Sequence, residues 1–246
     1  MLFVGAALFA LASAVLWFWL IAGQMSGDLR GSLDPATLGL VATDTRFGRI
    51  FLARFLGLVA LWLLCRGGVA RRGGAIAILA GLLLASLAPI SHAAADTGSM
   101  IVGIASDAAH LLTAGFWLGG LVVLAMLALR HWCDRAALIG PLRLFSLWGA
   151  AAVGILVVTG LINAVSIVPL SAVSLHDHYF ELLLLKVALA AAMIGFAALN
   201  RWRFAPALEN GGRGALRQLT SSIGVELLLG IAIVTIAAFL GLTGPH

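Results

Sequence analysis

Apolar residues run along this chain in long stretches broken by short polar segments. Seven of these runs approach the roughly 20 residues that an α-helix needs to cross a bilayer, at about 2–23, 48–65, 74–90, 100–129, 145–168, 180–199 and 220–241. The breakers between them are rich in glycine, proline and arginine: "CRGGVARRGG" after the second run, "APISHAAADTGS" after the third, "VPLSAVSLHDHY" after the fifth and "NRWRFAPALENGGRG" after the sixth. The pattern predicts an all-α fold, a polytopic membrane bundle of about seven helices. The first run has neither a basic leader nor a clear small-residue cleavage site, so it reads as a retained helix.

Basic residues orient the bundle. The loops after spans two, four and six carry Arg66, Arg71 and Arg72, then Arg130, Arg135 and Arg143, then Arg201, Arg203, Arg213 and Arg217. The loops after spans three and five carry none. In the loop after span one, Arg30, Arg46 and Arg49 are diluted by Asp28, Asp34 and Asp44. Because basic loops stay cytoplasmic, the N-terminus is expected inside and the C-terminus outside.

Composition then narrows the function class. Of 246 residues, 62% are hydrophobic and 10% charged, and the mean hydropathy is +1.11. Soluble domains carry about 25% charged residues. A single multi-pass transmembrane domain over 1–246 with no soluble domain is therefore expected. The formal charge of +5 comes almost wholly from arginine in those loops and does not argue for nucleic acid. The two cysteines, Cys65 and Cys133, make no disulfide framework and are expected near the cytoplasmic face.

Topology turns the scattered polar residues into a pattern. His92 falls at the outer end of span three, His176 and His178 in the outer loop before span six, and His246 at the outer terminus; His131 alone faces inward. His110 lies roughly a third of the way into span four, with Asp107 one helical turn before it. Arg54, Lys186 and Asn163 also fall in the outer halves of their spans. Polar groups in lipid are costly, so each should face the bundle interior and find a partner. Arg54 and Asp107 match in depth and are expected to pair; Glu226, in the last span, is left with none. Residues i and i+3 share a helix face. His110 with Asp107 suits a metal ligand and its carboxylate neighbour, an axial haem ligand, or a hydrogen-bond network that fixes helix packing. His176 and His178, spaced to project to one side of an extended loop, and the thioether of Met100 are further candidate ligands. Cys65, His131 and Cys133 form a candidate cytoplasmic exit.

Several stretches carry a family resemblance. They are "SDAAHLLTAGFWLGGL" (106–121), "RLFSLWGAAAVGILVVTGLINA" (143–164), "YFELLLLKVALAAAMIGFAALNRWRFAP" (179–206) and "TRFGRIFLARF" (45–55). In order and spacing they resemble the copper resistance protein D family of bacterial inner-membrane proteins, over a core of roughly 45–206. The resemblance implies a role in copper homeostasis and a separate periplasmic copper-binding partner of the copper resistance C type. His110 and its helix match the family, and His92 matches more loosely. The leading expectation is a non-enzymatic protein that passes copper from periplasm toward cytoplasm through a histidine-lined outer vestibule. Its site would comprise His110, His92, Asp107, His176, His178 and Met100, with Arg54, Asn163 and Lys186 in support. The alternatives are a b-type cytochrome with His110 as axial haem ligand, and a metal-free structural or assembly subunit.

Overall fold

The computed structural model describes residues 2–27, 34–90, 100–130, 136–167, 178–212 and 214–243. Every regular element among them is helical: α1 (Leu2–Ser26), α2 (Pro35–Asp44), α3 (Arg46–Arg66), α4 (Val69–Ala85), α5 (Met100–Arg130), α6 (Ala136–Ile167), α7 (His178–Leu199), α8 (Ala205–Glu209) and α9 (Ala215–Thr243). Six helices are long and apolar enough to cross a membrane, namely α1, α3, α5, α6, α9 and the segment that starts with α7 and runs through α8. Large apolar side chains stand exposed along them, including Phe9, Ile101, Leu161 and Leu228. That is the outward face expected of helices solvated by lipid. The chain is thus a membrane protein.

The expected run 74–90 differs. Its helix, α4, has 17 residues, begins earlier and ends at Ala85. Arg71, Arg72, Gly73 and Gly74 fall inside its first two turns instead of ahead of it. Backbone N–H groups of Ser86 and Leu87 close the last turn, and a 3-10 turn follows over Ala88–Ile90, where Pro89 cannot continue the ladder. α6 departs in the opposite sense. It begins at Ala136, well before the expected 145, and runs through Pro141 for 32 residues, about 48 Å.

The chain forms two compact units, Met1–Ile90 and Ser91–His246. In the first, α1 meets α3 through an aromatic stack. Phe47, Phe51 and Phe55 recur every four residues and so share one face of α3. Phe18 stacks on Phe51 at 4.4 Å between ring centres, and Trp17 meets Phe47 edge-on at 5.1 Å. α2 was not foreseen. Asp34 caps it, accepting from the Thr37 hydroxyl (2.9 Å) and from the Thr37 and Ala36 amides, with Pro35 preset for the first turn. These bonds, led by the Thr37 hydroxyl, hold the Asp34 carboxyl below its usual range. At the corner between α2 and α3, one residue serves both helices: Thr45 Oγ1 donates to the Val41 carbonyl (2.6 Å) and accepts from the Gly48 amide (2.8 Å). Arg54 fastens α3 to α4, donating to the Leu83 carbonyl and the Ser86 hydroxyl.

In the second unit, α5 packs on α6 and α7 on α9. Its core gathers Trp117, Leu121 and Leu124 of α5, Leu138 and Leu142 of α6, and Leu219 and Ile223 of α9. α7 passes into a π-helical turn at Asn200–Phe204, in which the Ala205 amide reaches back five residues to the Asn200 carbonyl. Such turns re-aim side chains within a helix. At the near end of α6, Arg143 grips Glu209 of α8 with two parallel bonds of 2.6 and 2.8 Å. The arginine side chain is 69% exposed, and water screens exposed pairs. Arg143→Ala should therefore move the melting temperature by no more than about 2–4 °C; a larger drop in a thermal melt would show that the pair carries the α6–α8 junction.

Candidate functional site

Two polar stripes face each other in the second unit. On α5, Ser106 and His110 are four residues apart; on α6, Thr159 and Asn163 are four apart. Residues at that spacing lie one above the other on a helix, so each pair forms a row. Ser106 Oγ donates to Asn163 Oδ1 at 2.8 Å, and Asn163 Nδ2 donates to Asp107 Oδ1 at 3.4 Å. Both ends of the Asn163 amide are engaged, which fixes its orientation. Gly160 lies beside the imidazole: a Cβ there would stand in ordinary contact, 3.5 Å from His110 Cε1.

His110 Nδ1 lies 3.0 Å from Thr159 Oγ1. The Thr159 hydroxyl has one hydrogen, and the Ile155 carbonyl takes it at 2.6 Å. The hydroxyl therefore presents a lone pair to the ring, and Nδ1 carries the imidazole hydrogen. The Leu156 carbonyl faces the same ring as a second acceptor. In the tautomer that donates from Nδ1, Nε2 presents its lone pair, the state in which a neutral histidine binds a metal ion. Lys186 of α7 lies within electrostatic range of both His110 and Asp107.

The remaining candidates distribute as follows. Met100 is the first residue of α5, half exposed and ten residues from His110, about 15 Å along the axis. It is not a co-ligand of His110 on one ion. His178 is the first residue of α7 instead of the end of an extended loop; its Nδ1 lies 3.5 Å from Glu181 Oε2, and both side chains are well exposed. Arg54 and Asp107 belong to different units, and each finds partners within its own. Cys65 is a buried free thiol near the end of α3. His92, His131, Cys133, His176 and His246 lie outside the described residues. Among the described residues, no three of His, Cys, Asp and Glu converge.

Ser106 and Thr159 were missed as site residues. Their signal was present: each stands four residues from a polar group already singled out, in an otherwise apolar run. Glu226 is corrected outright. It is 1% exposed and accepts from Asn200 Nδ2 of the π-helical turn and from the Trp117 indole.

Two family descriptions match the chain in sequence order: copper resistance protein D-like, N-terminal domain, over residues 1–102, and copper resistance protein D over residues 139–240. The chain is 29% identical to copper resistance protein D of Pseudomonas syringae pv. tomato over 254 residues, spanning 98% of this chain and 82% of that protein. It is 33% identical to copper transport protein CutJ of Bacillus subtilis (strain 168) over 168 residues, 67% of this chain but 29% of that larger protein. No solved structure matches. With a match to each half and near full-length similarity to a protein of the same description, this chain belongs to the copper resistance protein D family.

Proposed function

We propose that the chain binds copper within the inner membrane at His110 and passes it from the periplasm toward the cytoplasm. The observation that carries this reading is the 3.0 Å contact between His110 Nδ1 and a Thr159 hydroxyl that already donates to the Ile155 carbonyl. With Nδ1–H committed to Thr159, Nε2 is the nitrogen left to take a cation. Asp107, one turn away, adds a negative charge and an oxygen donor. Two relatives bear names tied to copper resistance and copper transport.

In this reading α4 is the seventh crossing. Its 17 residues rise about 26 Å, and the following 3-10 turn extends the path, close to the hydrocarbon thickness. The arginine pattern then sets the N-terminus inside and the C-terminus outside. His92, His176, His178 and Met100 gather copper at the outer face, where a separate soluble copper-binding protein of the copper resistance C type delivers it. Cys65, His131 and Cys133 serve the exit. Elemental analysis and an absorption spectrum of the purified protein test the reading together. Copper near one equivalent per chain with a featureless visible spectrum is expected. A Soret band with reducible α and β bands, or no bound copper, would overturn it.

A further inference from the structure

The second unit contains another polar centre, with no described contact to the His110 cluster. Glu226 of α9 is almost wholly buried, and it lines a cavity of about 410 Å3. Trp117, Phe145, Ser146, Asn200 and Arg201 line the same space. Trp117 lies seven residues beyond His110 on α5, about 10 Å closer to the Arg130 end.

A carboxylate buried in membrane at this depth needs a cation, or it needs a proton. Among the described residues no cationic side chain pairs with Glu226. The charged groups on the surrounding elements are engaged or distant. Arg201 shares the cavity, but its guanidinium donates to the Ser146 carbonyl. Arg143 and Glu209 hold each other. Lys186 and His110 belong to the cluster around Asp107. Arg217, the next ionisable residue on α9, is nine positions away, about 13 Å along the axis.

The partners of Glu226 also discriminate between a metal and a proton. Two N–H groups, from Asn200 and Trp117, point at the carboxylate. Hydrogens in that position satisfy oxygen lone pairs and repel a metal cation. Asn200 has a second property: its Oδ1 is buried with no hydrogen-bond partner, in a residue 9% exposed. Buried acceptors are rarely left unmatched. Turned over, the Asn200 amide presents Oδ1 to a protonated Glu226 in place of Nδ2, so one side chain serves both states of the acid. The cavity has room for water, at about 30 Å3 per molecule, to bring the proton.

We propose that Glu226 is a proton-binding site, loaded from the adjoining cavity and set along α5 between the His110 cluster and the Arg130 end. The step is a proton transfer alone: hydronium gives its proton to a Glu226 carboxylate oxygen and leaves as water, and the reverse releases it. No electron moves. Coupling of this site to copper movement rests on the copper reading above; proton binding itself does not.

Infrared difference spectroscopy of the copper-free protein, titrated with acid and base, tests it. Wild type should show a carboxylic-acid C=O band that persists where surface carboxylates are ionised and disappears at higher pH. Glu226→Gln should lose that band. Asn200→Ala, which keeps the acid, should move the pH at which the band disappears; a purely structural Glu226 would give no such movement. Identical titrations for wild type and Glu226→Gln would overturn the proposal. If the glutamine variant does not fold, Glu226→Asp must show the band at a displaced frequency, and an unchanged spectrum there also overturns it. His110→Ala should leave the band intact, so a failed copper reading is told apart from a failed proton site. In liposomes, wild-type copper uptake should respond to an imposed pH gradient and Glu226→Gln uptake should not; an equal response would remove Glu226 from coupling.

Discussion

Replacing His110 with alanine should strip the protein of copper while leaving it folded. The imidazole is half-buried between α5 and α6, and its fixed tautomer leaves Nε2 as the donor. Outer partners of a ligating histidine are worth about 10–100-fold in metal affinity, and loss of the ligand itself should exceed that, at about 100-fold or more. Elemental analysis of wild type and His110→Ala after equal copper exposure reads the effect; equal copper in the two removes His110 from the site. A companion variant separates ligand from support. Thr159→Val keeps the shape of the side chain but removes the oxygen that accepts from Nδ1, so the ring loses its preferred tautomer and its orientation. Its affinity should fall by about 10–100-fold, short of the alanine result. The fold should survive in both, because the α5–α6 contact is made mainly by apolar residues.

The second large effect concerns the other unit. Gly48→Ala should loosen the α2–α3 corner and with it the N-terminal unit. A methyl group at Gly48 would overlap the Val41 and Ala42 carbonyl oxygens and stand 2.6 Å from the Ala42 Cα. All of these are backbone atoms, so no rotamer change relieves the clash. The overlap falls where Thr45 ties the two helices through its single hydroxyl. Overpacking of this kind costs about 1–3 kcal/mol, or more where the backbone cannot yield. Buried Cys65, on the same helix, reports it. In a Cys133→Ser background, thiol modification should run about 10- to 100-fold faster in Gly48→Ala than in its parent. Gly67→Ala is the control: the nearest atoms to a Cβ there belong to the guanidinium end of Arg72, an exposed side chain that can swing aside. Equal modification rates for Gly48→Ala and its parent would mean the corner tolerates the methyl group.

The long helices were legible because lipid imposes one requirement on every residue that faces it. A run of apolar residues with few charges has little choice but to cross. What escaped notice lies where that requirement relaxes. α2 is short and mixed in character, and its start depends on one aspartate and one proline, Asp34 and Pro35, that look like any loop residues. α6 starts nine residues ahead of the expected 145, and Pro141 and Arg143 lie in that added stretch. Pro141 forgoes the bond to the carbonyl four residues back, yet the helix runs through it, and Arg143 has Glu209 to meet. α4 begins ahead of its apolar run because Arg71 and Arg72, charged as loop residues are, lie within its first turns. The polar cluster was half legible. Asp107, His110, Asn163 and Lys186 stood out by charge or by side-chain amide, whereas Ser106 and Thr159 are small enough to pass as helix filler. The partners of Glu226 could not be read at all, because they depend on the π-helical turn that aims Asn200, and no composition signal marks that turn.

The cluster around His110 is already charge-matched before any metal arrives. Ser106, Asn163 and Asp107 form a chain of donors that runs one way and terminates on a carboxylate, so the negative end of the chain has a fixed address. Lys186 answers it from α7. If copper is the cation that His110 takes, as proposed above, it enters a field that already holds one positive charge, and the Lys186 ammonium works against its arrival.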